Sequence, residues 1–201
     1  MRVRFLIAAA LALGLQVTGA HAQLTSAGLD CAAGSTFEQF EPTPLACSGA
    51  WLGNDANQQS SLMSQLELDF AGLLGDGASF AWLGKSDDAG SGPFVSNSTA
   101  TSGTLTFDVA QTGWFAVSLK AGDAFSVYLF DGGDAGLQSI NFSTLGVQVN
   151  GNGIGAGLSH AALIDVSGAV TPPIPEPETY ALMLAGLGLV GFVAARRRRY
   201  G

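Results

Sequence analysis

The stretch "GWFAVSLKAGDAFSVYLFDGGDAG", residues 113–136, restricts what this chain can fold into more than any other. Phe115, Val117 and Leu119 alternate with Ala116, Ser118 and Lys120; Phe125, Val127 and Leu129 alternate with Ser126, Tyr128 and Phe130. A period of two is that of a β-strand, whose successive side chains point to opposite faces. Two such runs with Ala-Gly-Asp between them predict a β-hairpin. The pattern puts Phe115, Val117 and Leu119 on one face and Phe125, Val127 and Leu129 on the matching face of the partner, and that face is the expected core.

Other segments follow the same grammar. "SQLELDF" alternates Leu66, Leu68 and Phe70 with Glu67 and Asp69, and "GTLTFDVA" alternates Leu105, Phe107 and Val109 with threonines and Asp108. "LSHAALIDV" reads as a further strand, with "SFAWL" and "LGVQV" as weaker ones, and "NDANQQSSLMSQL" leaves room for a helical turn. Short strands, Gly-rich turns, no fixed-period repeat and no long amphipathic helix predict an all-β body, an antiparallel β-sandwich or jelly-roll-like fold.

Neither end belongs to that body. Arg2 and Arg4, an apolar run from Phe5 to Leu15 and the small residues Ala20 and Ala22 around His21 have the layout of a secretory signal peptide. Residues 1–22 are therefore expected to be removed after Ala22. At the other end "TPPIPEPE", residues 171–178, holds four prolines in eight residues and is expected to be an extended spacer. Residues 179–195 carry no charge, and a helix there spans roughly 25 Å, the short limit for a membrane crossing. Arg196, Arg197, Arg198 and Arg199 follow, within a basic tail at 196–201 that by the positive-inside rule stays in the cytoplasm.

The body, residues 23–170, contains fourteen Asp and Glu against Lys85 and Lys120 alone, because all six arginines lie in the ends. Such an acidic surface repels phosphate backbones and anionic lipid, which excludes nucleic acid as an expected partner. Cys31 and Cys47 are expected to form one disulfide in an exported chain, closing a loop worth about 3 kcal/mol. A metal pair is the weaker reading, since no C-x-x-C is present and His160 is the one histidine outside the signal segment.

Catalytic motifs are absent from the body: no G-x-S-x-G, no H-E-x-x-H and no P-loop. Gly186, Gly188 and Gly191 spell G-x-G-x-x-G inside the C-terminal apolar run, where no strand precedes them, so no dinucleotide site is expected. His160 has the chemistry of a general base if folding brings a serine and an aspartate to it, and a structural histidine is the simpler reading. Paired carboxylates able to hydrolyse a glycoside cannot be picked out of fourteen acids by spacing. Asp87 and Asp88 in "KSDDAGSG", and Asp131 and Asp134 in "FDGGDAG", are acidic enough for calcium but fit no calcium-loop pattern. Asn97 and Asn141 stand in N-x-S/T tripeptides that chance readily supplies. No catalytic residue, metal or cofactor is expected.

Pro175-Glu176-Pro177, followed at once by a short apolar helix and a terminal arginine cluster, resembles the PEP-CTERM sorting signal of Gram-negative bacteria. Tyr180 stands where many members carry tryptophan. The resemblance implies recognition by exosortase, a membrane-embedded cysteine transpeptidase-like enzyme, with processing at or near Pro-Glu-Pro. It further implies anchoring in the inner membrane before processing, and a place at the cell surface or in the extracellular matrix, with exopolysaccharide and biofilm, afterwards. "GWFAVSLKAGDAFSVYLFDG" and "LSHAALI" are similar to segments that recur among such proteins, which implies a shared β-rich exported domain and no assigned catalytic residue.

The expectation is therefore a non-enzymatic surface or matrix protein, with exopolysaccharide or neighbouring surface proteins as partners. A carbohydrate-binding module, with Trp51, Trp82, Trp114 and Tyr128 as stacking candidates, is the alternative. A glycan-active enzyme comes third.

Overall fold

Between β1 (Ala46–Leu52) and β2 (Ser79–Lys85) the chain forms one long helix, α1 (Gln59–Leu74). Five strands follow: β3 (Ser102–Gln111), β4 (Trp114–Ala121), β5 (Ala124–Asp131), β6 (Leu137–Ser143) and β7 (Leu158–Ser167). This is a computed structural model, and it describes residues 23–32, 37–168 and 186. The signal peptide with Ala20 and Ala22, Pro175, Glu176 and Pro177 in the linker, the apolar segment 179–195 apart from Gly186, and Arg196 to Arg199 lie outside the described residues. Among the described residues no helix is long and apolar enough to cross a membrane.

All strand pairs are antiparallel. A five-stranded sheet runs β1-β5-β4-β7-β2 and faces a two-stranded sheet, β3-β6. The body is mostly β with antiparallel sheets, as expected, but the two sheets are unequal and α1 covers the outer face of the larger one. That sheet is the middle of three layers, so β4 is buried from Phe115 to Ala121 and β5 from Ala124 to Phe130.

The hairpin forms, but its faces pair differently from the expectation. Ala121 pairs with Ala124 across the two-residue turn Gly122-Asp123, so odd positions of β4 meet even positions of β5. Phe115 lies opposite Phe130 and Val117 opposite Tyr128, whereas Phe125, Val127 and Leu129 share the other face with Lys120, Ser118 and Ala116. Gly122 takes φ +54°, a value that suits the first central position of such a turn. Both faces are core, one beneath β3-β6 and one beneath α1.

The face toward β3-β6 is aromatic. Rings of Phe94 and Phe107, Phe107 and Phe115, and Phe115 and Phe130 follow one another at 5.6, 5.6 and 5.5 Å. Phe40 closes the series, 4.4 Å from Tyr128.

Helix α1 is the main departure from the sequence reading. "SQLELDF" is helical here, not a strand. Leu62, Leu66, Phe70 and Leu74 recur every fourth residue and are all buried, while Leu68 is 74% exposed. That spacing is one face of a 3.6-residue helix, and the short alternation Leu66-Leu68-Phe70 imitated a strand within it. "LGVQV" is a turn with one isolated bridge, Val149 to Gly155, because Leu145 to Val147 fold back after β6. "SFAWL", "GTLTFDVA" and "LSHAALIDV" lie in β2, β3 and β7. Strands β1 and β6 carry too little alternation to be read from sequence.

The outer edge of β1 is covered by the start of the body. Leu52 N–H donates to Thr25 O at 2.7 Å, Ala27 N–H to Ala50 O at 2.8 Å and Ala50 N–H to Leu29 O at 2.9 Å. The Cys31–Cys47 disulfide, across a sequence separation of 16, staples this segment to β1.

Candidate functional site

Strands β4 and β7 run side by side, with Lys120 opposite His160 and Ser118 opposite Ala162. Even positions of β4 face α1, so Ser118, Lys120 and His160 meet under the helix. Alternation places these polar groups there, and the central position of β4 denies them water. All three are buried, and each needs a partner.

Asp55 supplies two of the partnerships. It opens a 3₁₀ turn, Asp55–Asn57, between β1 and α1, and Asn54 caps that turn by accepting Ala56 N–H at 3.0 Å. The Asp55 carboxylate is fully buried. Its Oδ2 accepts the Ser118 hydroxyl at 2.5 Å, and its Oδ1 lies 2.7 Å from His160 Nε2 and accepts Ala56 N–H at 2.9 Å. A carboxylate only accepts, so with Asp55 ionised His160 Nε2–H is the donor. Lys120 is held separately, its Nζ donating to Gly122 O at the hairpin turn.

The cluster reaches the surface through the loop after β2. His160 Nδ1 lies 3.9 Å from Asp87 Oδ1, and Lys85 Nζ bridges Asp87 at 2.7 Å and Asp88 at 3.2 Å. The Asp87 hydrogen bond holds Lys85 above its ordinary pKa, against the opposing effect of burial. The Lys85 N–H, donated to Asp88 Oδ2 at 2.9 Å, holds Asp88 below the usual carboxylate range. A second polar group pins α1 to β1: Trp51 Nε1 donates to Ser48 Oγ at 3.1 Å, and Ser48 Oγ to Asp69 Oδ2 at 2.5 Å.

Folding does bring a serine and an aspartate to His160, but in the wrong order for nucleophilic catalysis. A base must touch the nucleophile and be oriented by the acid. Here the acid stands in the middle, and the Ser118 proton points at Asp55. The arrangement ties the β1–α1 connection onto β4 and β7, joining three separate stretches of chain under one helix. Asp55 is the member that sequence reading missed. The available signal was indirect: a strand buried on both faces with serine and lysine on one of them must meet a polar group from elsewhere.

The remaining candidates scatter. Asp87 and Asp88 are occupied by Lys85, and Asp131 accepts Gly133 N–H at 2.8 Å within its own turn. Among the described residues the one group with metal-ligand spacing is Asp30, Cys31 and Cys47, whose two sulfurs are bonded to each other. Asn97 and Asn141 accept hydrogen bonds from Ser86 and Thr104. Of the four aromatic candidates, Tyr128 is fully buried and offers no face to a ligand. Trp51, Trp82 and Trp114 are partly buried against the α1-side core, on three different strands.

The end of the chain carries the functional address. Residues 173–199 match the family model of the PEP-CTERM protein-sorting motif, which spans Pro175-Glu176-Pro177 and all four terminal arginines. This motif defines an exported protein whose C-terminus is a membrane-anchored sorting signal targeted by exosortase. The chain carries a PEP-CTERM sorting motif, and the match covers the sorting end alone. No curated protein and no solved structure matches it.

Proposed function

We propose that this is a non-enzymatic exported protein, held in the inner membrane by residues 179–195, processed by exosortase near Pro175-Glu176-Pro177, and released to the cell surface or matrix. The carrying observation is the sorting motif at residues 173–199. The tetra-arginine end resists passage through lipid, so export halts with the Pro-rich spacer outside the membrane, within reach of a processing enzyme.

At its destination the body acts by contact, with exopolysaccharide or neighbouring surface proteins. Its strongly acidic surface favours uncharged or cation-bridged partners over nucleic acid or anionic lipid. The non-enzymatic reading draws support from the acid lying between Ser118 and His160 and from the pairing of Asp87 and Asp88 with Lys85.

Deleting Pro175 to Gly201 tests the reading. The truncated chain should leave the membrane fraction and fail to accumulate with surface polysaccharide. Unchanged fractionation contradicts it. A purified body that hydrolyses glycans contradicts the non-enzymatic part separately.

A further inference from the structure

We infer that the mature chain begins with a pyroglutamyl residue at position 23, an inference that rests on removal of the signal peptide after Ala22. That cut leaves Gln23 with a free α-amine. The amine nitrogen attacks Cδ of the same side chain, a five-membered lactam closes, and the amide nitrogen departs as ammonia. One C–N bond forms, one breaks, and one proton moves from the attacking nitrogen to the leaving one. No oxidant, reductant or second substrate is consumed.

The structure favours this step at residue 23. Leu24 is already buried in the α1-side core, and Thr25 O accepts Leu52 N–H at 2.7 Å, so the fold starts immediately beyond the cut. Gln23 itself is exposed, at the rim of a cavity shared with Thr25, Leu52, Gly53, Gln58 and Ser61. None of these neighbours is acidic. A carboxylate among them would pair with the α-amine and favour its protonated, unreactive form, whereas these neighbours offer only amides, hydroxyls and apolar groups.

The reaction also changes the surface. Lys85 is paired with two aspartates and Lys120 is buried, so among the described residues the Gln23 amine would be the one exposed, unpaired cation. Lactam closure removes it, and the free charges left exposed among the described residues are all negative.

The test is N-terminal peptide mass mapping of the full-length protein, exported by its own cells and kept at neutral pH throughout. The expected N-terminal peptide starts at residue 23, is one ammonia lighter than its sequence, and resists stepwise N-terminal degradation until pyroglutamyl aminopeptidase removes the blocked residue. A Gln23→Ser variant should be unblocked. An unmodified Gln23 overturns the inference while leaving the cleavage reading intact. A chain starting at any other residue overturns both.

Discussion

The two faces of the five-stranded sheet bury comparable side chains by different means. Toward β3-β6 the interior is a run of stacked and edge-on rings, and its one buried ionisable group, Tyr128, has no hydrogen-bond partner for its hydroxyl. Toward α1 the interior holds Leu62, Leu66, Phe70 and Leu74, but also Asp55, with Ser118 and His160 each hydrogen-bonded to its carboxylate. Aromatic packing needs no particular partner and is not directional at this level. The bonded cluster is directional, and it fixes where the β1–α1 connection sits. The dry face supplies stability, and the polar face supplies position.

The largest effect should come from breaking the polar face at its centre. Asp55→Ala leaves Ser118 and His160 without their acceptor in a buried site and is expected to cost about 3–5 kcal/mol. Urea unfolding measures it, and a loss under 1 kcal/mol would reduce the cluster to ornament. Next comes the apolar part of the same face. Leu66→Ala should cost about 3 kcal/mol and Leu68→Ala less than about 0.5, since only the first is covered. A strand through this segment would give the two leucines similar costs.

Tyr128 should behave with the opposite sign to Asp55. Its hydroxyl is buried without a partner, so Tyr128→Phe is expected to stabilise by about 1 kcal/mol at neutral pH. Burial pushes the phenol pKa up. A raised acid pKa means that the unfolded chain loses its proton first. The phenol's contribution is whole below about 10 and falls as pH rises beyond it, by at most about 1.4 kcal/mol per pH unit. Tyr128→Phe should remove that alkaline decline. The smallest effect belongs to the rim. Asp88 is held below its ordinary value, so its stabilisation is present above about pH 4 and fades as pH falls through the lower folded value. Asp88→Asn should flatten that acid limb slightly and leave neutral-pH stability almost unchanged.

How far the chain could be read in advance follows from the same contrast. Strands β4, β5 and β7 announce themselves because alternation is a local property. The partition of their faces does not, because it depends on whether the connecting turn holds two residues or three, and Gly122-Asp123 made it two. Helix α1 was hidden by a three-residue coincidence at Leu66, Leu68 and Phe70, although Leu62 to Leu74 at every fourth position reveals it over a longer window. Strand β1 escaped notice for a steric reason: a Cβ on Gly49 would come within 2.8 Å of Ser126 Oγ, so a glycine stands where alternation would have shown a larger residue. Asp55 was illegible because its partners lie 63 and 105 residues away. The sorting motif was fully legible, since proline content, apolar length and terminal charge are read in order along the chain.

That last property makes the proposed function directly measurable. Intact-mass analysis of the mature protein should be made from cells with exosortase and from matched cells without it. The account predicts a chain ending near Pro175-Glu176-Pro177 in the first strain and one retaining Arg196 to Arg199 in the second. Equal masses in the two strains, with the four arginines present in both, would contradict it.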